Sequence, residues 1–239
     1  MISEIHDLPA LTTEQMMEVD RLMIEDWGIT LLQMMENAGH NFAELARHLM
    51  RGIVQGKRVM VLCGPGNNGG GGMTAARHLH NWGAHVEAML VGDENRLKDV
   101  AAHQWRILQK MGTTRSALEL SRADLILDAM LGYGVREDPR PPIADWIRLA
   151  NKSRRPILSL DSPSGLDTTT GLPGSPCIHA SASLTLALPK IGLLALTAKS
   201  FVGELYLADI SVPPELYAAP SLGLQVRSPF GENSIVKLS

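Results

Sequence analysis

The segment Cys63–Gly72 constrains the fold of this chain more than any other, because it holds six glycines and two asparagines in ten residues. The apolar run Arg58–Leu62 precedes it and is typical of a buried β-strand, while Met73–Gly83 follows it with a helical pattern. A strand, a glycine turn and a helix in this order direct backbone N–H groups and a helix N-terminus at one point, which suits an anion. A simple tight turn needs fewer glycines, so we predict a ligand-binding loop.

Short apolar segments alternate with helical patterns along the rest of the chain. Further strands are predicted at His85–Val91, Ala123–Asp128, Pro156–Asp161, Ser183–Leu188 and Glu204–Ala208. Helices are predicted from the capping box Thr12-x-x-Gln15 onward, and over Leu31–Leu49, Asp99–Lys110 and Ile143–Lys152. Such alternation is typical of a parallel sheet with helices on both faces. We expect an α/β fold in which residues 1–213 form one domain and residues 214–239 form a loosely ordered tail.

Charge and apolar content exclude several classes of protein. The net charge of −3 comes from acids and bases mixed along the chain, so there is no basic footprint for nucleic acid. The N-terminus is acidic and lacks a signal-peptide pattern, and no apolar stretch is long enough to span a bilayer. Cys63 and Cys177 lack metal-ligand spacing and are typical of reduced thiols. We expect a soluble cytoplasmic protein with neither nucleic acid nor membrane as a partner.

Polar residues follow three of the predicted strands. Asn67 and Asn68 come after the first, Asp128 ends another, and Asp161 ends a third with Ser164 close behind it. The carboxyl ends of parallel strands meet at one edge, where ligands bind in such folds. Each aspartate alone is also compatible with a turn or a helix cap. Together their carboxylate, amide and hydroxyl oxygens indicate a shared polar pocket that suits a hard cation rather than zinc.

Other motifs leave alternatives open. Gly64-x-Gly66-x-x-Gly69 matches the dinucleotide fingerprint formally, which would allow an NAD-dependent dehydrogenase, but it explains neither the four-glycine run nor the asparagines. The segment lacks a Gly-Lys-Ser/Thr ending, which excludes a nucleotide-triphosphate P-loop. The histidines have no paired ligand spacing and are assigned surface or packing roles. Lys190 either faces an anionic substrate or marks the exposed end of a strand.

Taken together, the ordered motifs resemble the YjeF N-terminal domain family, the NAD(P)H-hydrate epimerases. The resemblance covers Leu11 to Pro213 and rests on Met35–Gly39, Cys63–Gly70, Ala75–Leu79, Asp128–Gly134, Asp161–Asp167 and Leu188–Gly192. It implies a Rossmann-like three-layer α/β/α sandwich with a mostly parallel central sheet, often a homodimer. It also implies an isomerase that interconverts the R and S epimers at C6 of hydrated NADH or NADPH, so that a dehydratase can repair the cofactor.

The resemblance further implies a set of site residues. Asn68, Asp128 and Ser164 would hold a potassium ion. The damaged dinucleotide would contact Asn67, Asn68, Gly69, Gly70, Gly71, Gly132, Tyr133, Gly134, Val135, Arg136, Glu137, Asp138 and Asp161. Asp161 is the predicted catalytic acid: it would assist loss of the C6 hydroxyl to an iminium-like species, after which water returns on the other face.

One position departs from the family's pattern, which usually has an aspartate where this chain has Gly71. The change removes a carboxylate and a candidate proton carrier from the pocket. Two hypotheses follow: an epimerase weakened at this position, or a non-catalytic relative that binds a ligand or a partner protein. The potassium ligands are intact, so we expect the fold and the pocket to be preserved. The dehydratase domain that often follows in fused bacterial relatives is not within these 239 residues, which indicates a separate partner enzyme or a longer chain.

Overall fold

The computed structural model describes residues 2–134 and 136–238. One sheet of eight strands runs through it in the order β1-β8-β7-β6-β5-β4-β2-β3. The strands are β1 (Ser3–Ile5), β2 (Arg58–Cys63), β3 (His85–Leu90), β4 (Leu125–Ala129), β5 (Ile157–Leu160), β6 (Ala182–Leu186), β7 (Glu204–Ala208) and β8 (Ile235–Leu238). Neighbouring strands are parallel apart from β7 and β8, which are antiparallel. The mostly parallel sheet is therefore confirmed.

The helices connect these strands as the alternating pattern predicts. They are α1 (Thr13–Arg21), α2 (Leu31–Leu49), α3 (Asn67–Asn81), α4 (Asp99–Lys110), α5 (Ile143–Ser153), α6 (Lys199–Val202) and α7 (Pro214–Tyr217), with a π-helical turn at Leu22–Asp26 after α1. Thr12 and Gln15 form the predicted capping box at α1, and Thr30 and Gln33 form another at α2. Within the described part of the chain, every helix is too short or too polar to cross a membrane.

The sheet carries a hydrophobic core on each face. Val59 and Val61 of β2 pack in the core that includes side chains of α2, α3 and α4. Met60 and Leu62 of the same strand pack in a second core with Ile147 of α5. Because successive residues of a strand point to opposite faces, this division means that helices cover both sides of the sheet. The Rossmann-like three-layer α/β/α sandwich is confirmed.

The glycine run is part of a helix rather than a loop. α3 begins at Asn67, so Gly69–Gly72 form its first turns, and the predicted helix start at Met73 is wrong. The reason is close packing of α3 against the sheet. A Cβ atom on Gly72 would lie 2.5 Å from the Cβ of Ala129 in β4, nearer than two carbon atoms can approach. Glycine has poor helix propensity, but here it lets the helix approach the strands that carry the polar residues.

The C-terminal segment contributes a strand to the sheet. β8 lies between β1 and β7, and its Ile235 and Val236 are buried. The prediction of a loosely ordered tail over 214–239 is wrong for this strand. The neighbours of β8 are far from it in sequence, and β1 has only three residues, so local patterns signal neither strand. Tertiary pairing rather than local propensity determines both.

Candidate functional site

A cleft of about 900 Å³ lies at the carboxyl ends of β2, β4 and β5. β3 lies on one side of β2 and β4 lies on its other side, so the direction in which successive strands are added to the sheet reverses at β2. Open α/β sheets bind ligands at the carboxyl ends of the strands beside such a reversal. The polar and charged side chains of its lining are Thr13, Asp20, Asn67, Asn68, Arg96, Tyr133, Arg136 and Asp161. Apolar side chains of α1, α2 and β5 complete it, including Met16, Met34, Met35 and Leu160.

The structure brings most of the predicted substrate-contacting residues to this cleft. Those in its lining are Asn67, Asn68, Gly71, Gly132, Tyr133, Gly134, Arg136 and Asp161. Gly69 and Gly70 are instead buried in the packing of α3. Glu137 forms an exposed ion pair with Arg140, and the Oδ1 atom of Asp138 accepts a hydrogen bond from the Ser175 backbone N–H, so neither lines the cleft. Val135 lies outside the described residues.

Asp128 is a fully buried carboxylate near the end of β4 and is not part of the cleft lining. Its Oδ1 accepts a hydrogen bond from the Ser164 hydroxyl at 2.6 Å, and its Oδ2 accepts one each from the Ser159 hydroxyl and the Ser164 backbone N–H at 2.9 Å. Burial raises the pKa of Asp128, and the hydrogen bonds from Ser164 and Ser159 oppose that rise. Across the described residues no basic side chain forms an ion pair with Asp128, so hydrogen bonds alone balance its carboxylate in this structure.

Asn68 and Ser164 both bind the backbone of Leu131. The side-chain amide of Asn68 donates to the Leu131 carbonyl at 2.9 Å and to the Leu160 carbonyl at 3.3 Å. The Leu131 backbone N–H donates to the Ser164 hydroxyl at 2.9 Å. The described residues hold no group of three or more His, Cys, Asp or Glu side chains placed for a metal ion. The oxygens gathered here belong to the Asp128 carboxylate, the Ser164 hydroxyl and the Leu131 carbonyl, types that suit a hard cation, whereas Asn68 turns its Nδ2 atom toward the carbonyl.

Asp161 follows β5 in an unusual backbone conformation. Its φ of +65° lies in the left-handed region that residues other than glycine rarely adopt, and such strain concentrates at functional sites. Its Oδ2 accepts a hydrogen bond from the Tyr133 backbone N–H at 2.9 Å. Its Oδ1 accepts one from the Lys190 ammonium at 2.5 Å. Both carboxylate oxygens are therefore oriented by the protein.

Lys190 is fully buried, so the interpretation of this residue as an exposed strand end is wrong. Its ammonium also donates to the Thr185 hydroxyl at 3.1 Å and to the Leu186 carbonyl at 3.0 Å. A buried lysine is tolerated when its charge and its donors are all paired. The anion that Lys190 faces in this structure is Asp161.

Sequence reasoning missed Asp20, which lines the same cleft from α1. The Tyr133 hydroxyl donates a hydrogen bond of 2.7 Å to Oδ2 of Asp20. Burial raises the pKa of Asp20, while the hydrogen bond from Tyr133 and the charge of Lys190 act in the opposite direction. An acid on an amphipathic helix usually faces solvent, so no local signal identified it. Tyr133 thus joins two cleft carboxylates, one through its hydroxyl and one, Asp161, through its backbone.

The N-terminus of α3 adds a site for negative charge. Gly66 is the N-cap residue and supplies no side-chain hydrogen bond, and both it and Asn67 line the cleft. The unpaired N–H groups and the dipole of a helix N-terminus favour an anion. Arg96 and Arg136 also line the cleft, although Arg136 pairs with Glu14 at its rim.

Comparison with known proteins identifies the family. The sequence profile described as YjeF-related protein N-terminus matches residues 31–192. An NAD(P)H-hydrate epimerase of Dehalogenimonas lykanthroporepellens is 40% identical over 96% of this chain and 92% of its own. A bifunctional NAD(P)H-hydrate repair enzyme of Moorella thermoacetica is 36% identical over 87% of this chain, which matches 41% of the longer protein. The crystal structure of yeast ynu0 superimposes with a TM-score of 0.81 at 25% identity, covering 97% of this chain and all of the yeast chain. This chain belongs to the YjeF-related N-terminal family.

Proposed function

We propose that this protein is an NAD(P)H-hydrate epimerase, an isomerase that interconverts the R and S epimers of hydrated NADH and NADPH. The observation that carries the proposal is the cleft at the β2–β4 switch point, which brings the α3 N-terminus, the Gly132–Gly134 turn and Asp161 around one volume. Relatives named for this activity match nearly the whole chain.

The cleft offers each part of such a substrate a suitable surface. The α3 N-terminus and Arg96 take the negatively charged pyrophosphate. The hydrated nicotinamide ring lies toward Asp161, whose carboxylate is held by Lys190 and by the Tyr133 backbone N–H. Carbon C6 carries a hydroxyl beside the ring nitrogen, whose lone pair stabilises the iminium that forms when the hydroxyl leaves as water. Return of water to the opposite face gives the other epimer, with Asp161 as a proton-transfer group.

A potassium ion is the cofactor we propose, held by Asn68, Asp128 and Ser164. The support is the chemistry of these side chains: a buried carboxylate with no basic partner among the described residues, the Ser164 hydroxyl bonded to it, and the Asn68 amide bonded to the nearby Leu131 carbonyl. When bound, the ion would supply positive charge that offsets the Asp128 carboxylate. Asn68 and Ser164 bind the Leu131 backbone and so position the turn that carries Tyr133, whose N–H binds Asp161.

The proposed partner in metabolism is an NAD(P)H-hydrate dehydratase, since several relatives carry names for a bifunctional repair enzyme.

We also propose a homodimer, in which the exposed apolar side chains of α1 and the following turn, including Met17 and Trp27, are candidates for the contact. Light scattering tests the dimer directly, and a single-chain mass would contradict it.

The proposed compartment is the cytoplasm, because Cys63 and Cys177 are both free thiols.

A coupled assay tests the proposed activity. Mixed epimers of hydrated NADH are incubated with an S-specific, ATP- or ADP-dependent dehydratase in potassium buffer. The dehydratase consumes the S epimer, and recovery of the R epimer as NADH absorbance is followed with and without this protein. We expect recovery well above the spontaneous rate and its loss in Asp161→Ala. Recovery at the spontaneous rate with the wild-type protein would contradict the epimerase and favour a binding protein.

A further inference from the structure

We propose that Asp20 is the second proton-transfer residue of the cleft and works opposite Asp161, an inference that rests on the epimerase function proposed above. Epimerisation by loss and return of water needs proton transfer on both faces of the ring, because the hydroxyl leaves one face and water attacks the other. A single carboxylate cannot reach both faces of a planar intermediate. The cleft therefore has to supply a second group.

Asp20 is suited to that role by its position. Among the described residues that line the cleft, the carboxylates are Asp20 and Asp161. They approach it from different elements, since Asp20 belongs to α1 and Asp161 follows β5. Tyr133 spans the distance between them, with its hydroxyl on Asp20 and its backbone N–H on Asp161. Gly71, which also lines the cleft, carries no side chain, so Asp20 is the acid that joins Asp161 among the described lining residues.

The charges around the two carboxylates differ in a useful way. Asp161 is ion-paired with the Lys190 ammonium at 2.5 Å. Asp20 has no ion pair among the described residues, and Lys190 reaches it only through the longer-range field. The other titratable groups that act on Asp20 are Tyr133, Asp161 and Tyr217. Burial of Asp20 raises its pKa, which favours a protonated carboxylic acid, the form that a proton donor needs.

The proposed step balances as follows. Protonated Asp20 gives its proton to the C6 hydroxyl, the C6–O bond breaks, and water leaves while the lone pair of the ring nitrogen forms the C6=N bond. A second water attacks C6 from the opposite face, the C6=N pair returns to nitrogen, and the attacking water gives a proton to the Asp161 carboxylate. One turnover leaves Asp20 deprotonated and Asp161 protonated, which is the state that the reverse reaction needs. Proton exchange of both carboxyl groups with solvent water restores the starting state, so no oxidant, reductant or other reactant is consumed.

A purely structural role for Asp20 makes a different prediction. Its hydrogen bond to Tyr133 ties the Gly132–Gly134 turn to α1, and loss of that tie would disturb Asp161 indirectly. Asp20→Asn separates the two roles, because an amide oxygen still accepts the hydroxyl hydrogen bond but the amide exchanges no proton at neutral pH. Tyr133→Phe performs the complementary change, since it removes the tie and keeps the carboxylate.

The experiment measures kcat, KM and the pH profile of the coupled epimerase assay for four proteins. We expect Asp20→Asn to lower kcat by about 100-fold or more with KM within about threefold, and to remove one limb of the pH profile. Tyr133→Phe should lose less than about tenfold in kcat and keep both limbs. Glu25→Gln, an exposed carboxylate-to-amide change just after α1, is the matched control and should behave as wild type.

Chemical rescue provides a second test that a structural role would not pass. Asp20→Ala opens space at the cleft wall. If the missing carboxyl group is the cause of its low activity, added formate should raise the kcat of this variant at least about tenfold. An active wild type with an Asp20→Asn kcat within about threefold of it, or Asp20→Ala without rescue by formate, would overturn the inference. An inactive wild type would instead overturn the epimerase function itself, so the two failures are distinguishable.

Discussion

The ammonium nitrogen of Lys190 lies 2.5 Å from Oδ1 of Asp161, and no part of the Lys190 side chain reaches solvent. This pair joins the segment after β6 to the end of β5, where Asp161 adopts its left-handed backbone conformation. The second oxygen of Asp161 is held by the Tyr133 backbone N–H. Because every donor around this carboxylate is itself buried or part of the backbone, Asp161 enters the cleft in a fixed orientation.

Removal of the charge on Lys190 should destabilise the fold strongly. Lys190→Met leaves Asp161 buried without its partner, which typically lowers the free energy of unfolding by about 3–5 kcal/mol. Urea unfolding followed by circular dichroism measures the loss. Lys237→Met is the matched control, because its ion pair with Glu204 lies at the surface and contributes less than about 1 kcal/mol. Equal losses in the two variants would contradict the structural importance of the buried pair.

Two neighbouring glycines should respond very differently to alanine. A Cβ on Gly64 would lie 1.9 Å from the Met130 carbonyl oxygen, whereas a Cβ on Gly66 has no neighbour within 4 Å. Gly64→Ala should therefore cost about 3 kcal/mol or more, since backbone has to move. Gly66→Ala should change the free energy of unfolding by less than about 1 kcal/mol. Thermal denaturation of both proteins tests the pair, and similar melting temperatures would refute the close approach at Gly64.

The effect of introducing an aspartate at position 71 should depend on Leu160. A Cβ on Gly71 would lie 2.7 Å from the Cδ2 of Leu160, the far end of a flexible side chain. Gly71→Asp alone should lower the free energy of unfolding by about 1–3 kcal/mol through overpacking. In the Leu160→Ala background the same change should cost clearly less, because the obstructing methyl group is gone. A double-mutant cycle measures this coupling, and additive effects would show that Leu160 does not limit position 71.

Stability should depend on the protonation of His78 on α3. Its Nε2 lies 2.9 Å from a Glu36 carboxylate that also binds Arg77, yet burial outweighs this hydrogen bond and lowers the pKa of His78. The folded state thus binds the proton less readily than the unfolded state. The free energy of unfolding should fall as the pH decreases from about 6.5 toward the lower pKa of the folded state.

Urea titrations between about pH 7.5 and pH 5.5 measure this slope. His78→Gln should flatten it, whereas His80→Gln, an exposed substitution on the same helix, should leave it unchanged. A slope that persists in His78→Gln would assign the pH dependence to another group.

Potassium should stabilise the protein if Asn68, Asp128 and Ser164 bind it. An ion that binds only the folded state adds about 2.7 kcal/mol at a concentration one hundred times its dissociation constant. We expect a higher melting temperature in potassium chloride than in choline chloride of the same ionic strength. Ser164→Ala should reduce the difference and Asp128→Asn should abolish it. Identical melting temperatures in the two salts for the wild-type protein would argue against the proposed ion.

The sequence by itself determined the elements whose signals are local. The periodicity of Asp99–Lys110 and the run Glu204–Ala208 predicted α4 and β7 with the bounds that the structure has. The capping box formed by Thr12 and Gln15 predicted the start of α1. The alternation of strands and helices also fixed the parallel sheet, and the rule that parallel strands end at one edge brought Asn68 and Asp161 to the same cleft.

Only the tertiary structure decided the features that depend on distant partners. Gly69–Gly72 have poor helix propensity, yet they are helical because packing on β2 and β4 stabilises α3. β8 exists through its pairing with β1 and β7. Asp20 enters the cleft where it binds Tyr133, which is more than one hundred positions away in the sequence. Lys190 is buried where it pairs with Asp161 at the end of another strand. Periodicity and capping depend on residues a few positions apart, so the sequence shows them directly. Burial and charge pairing depend on residues that become neighbours only when the chain folds.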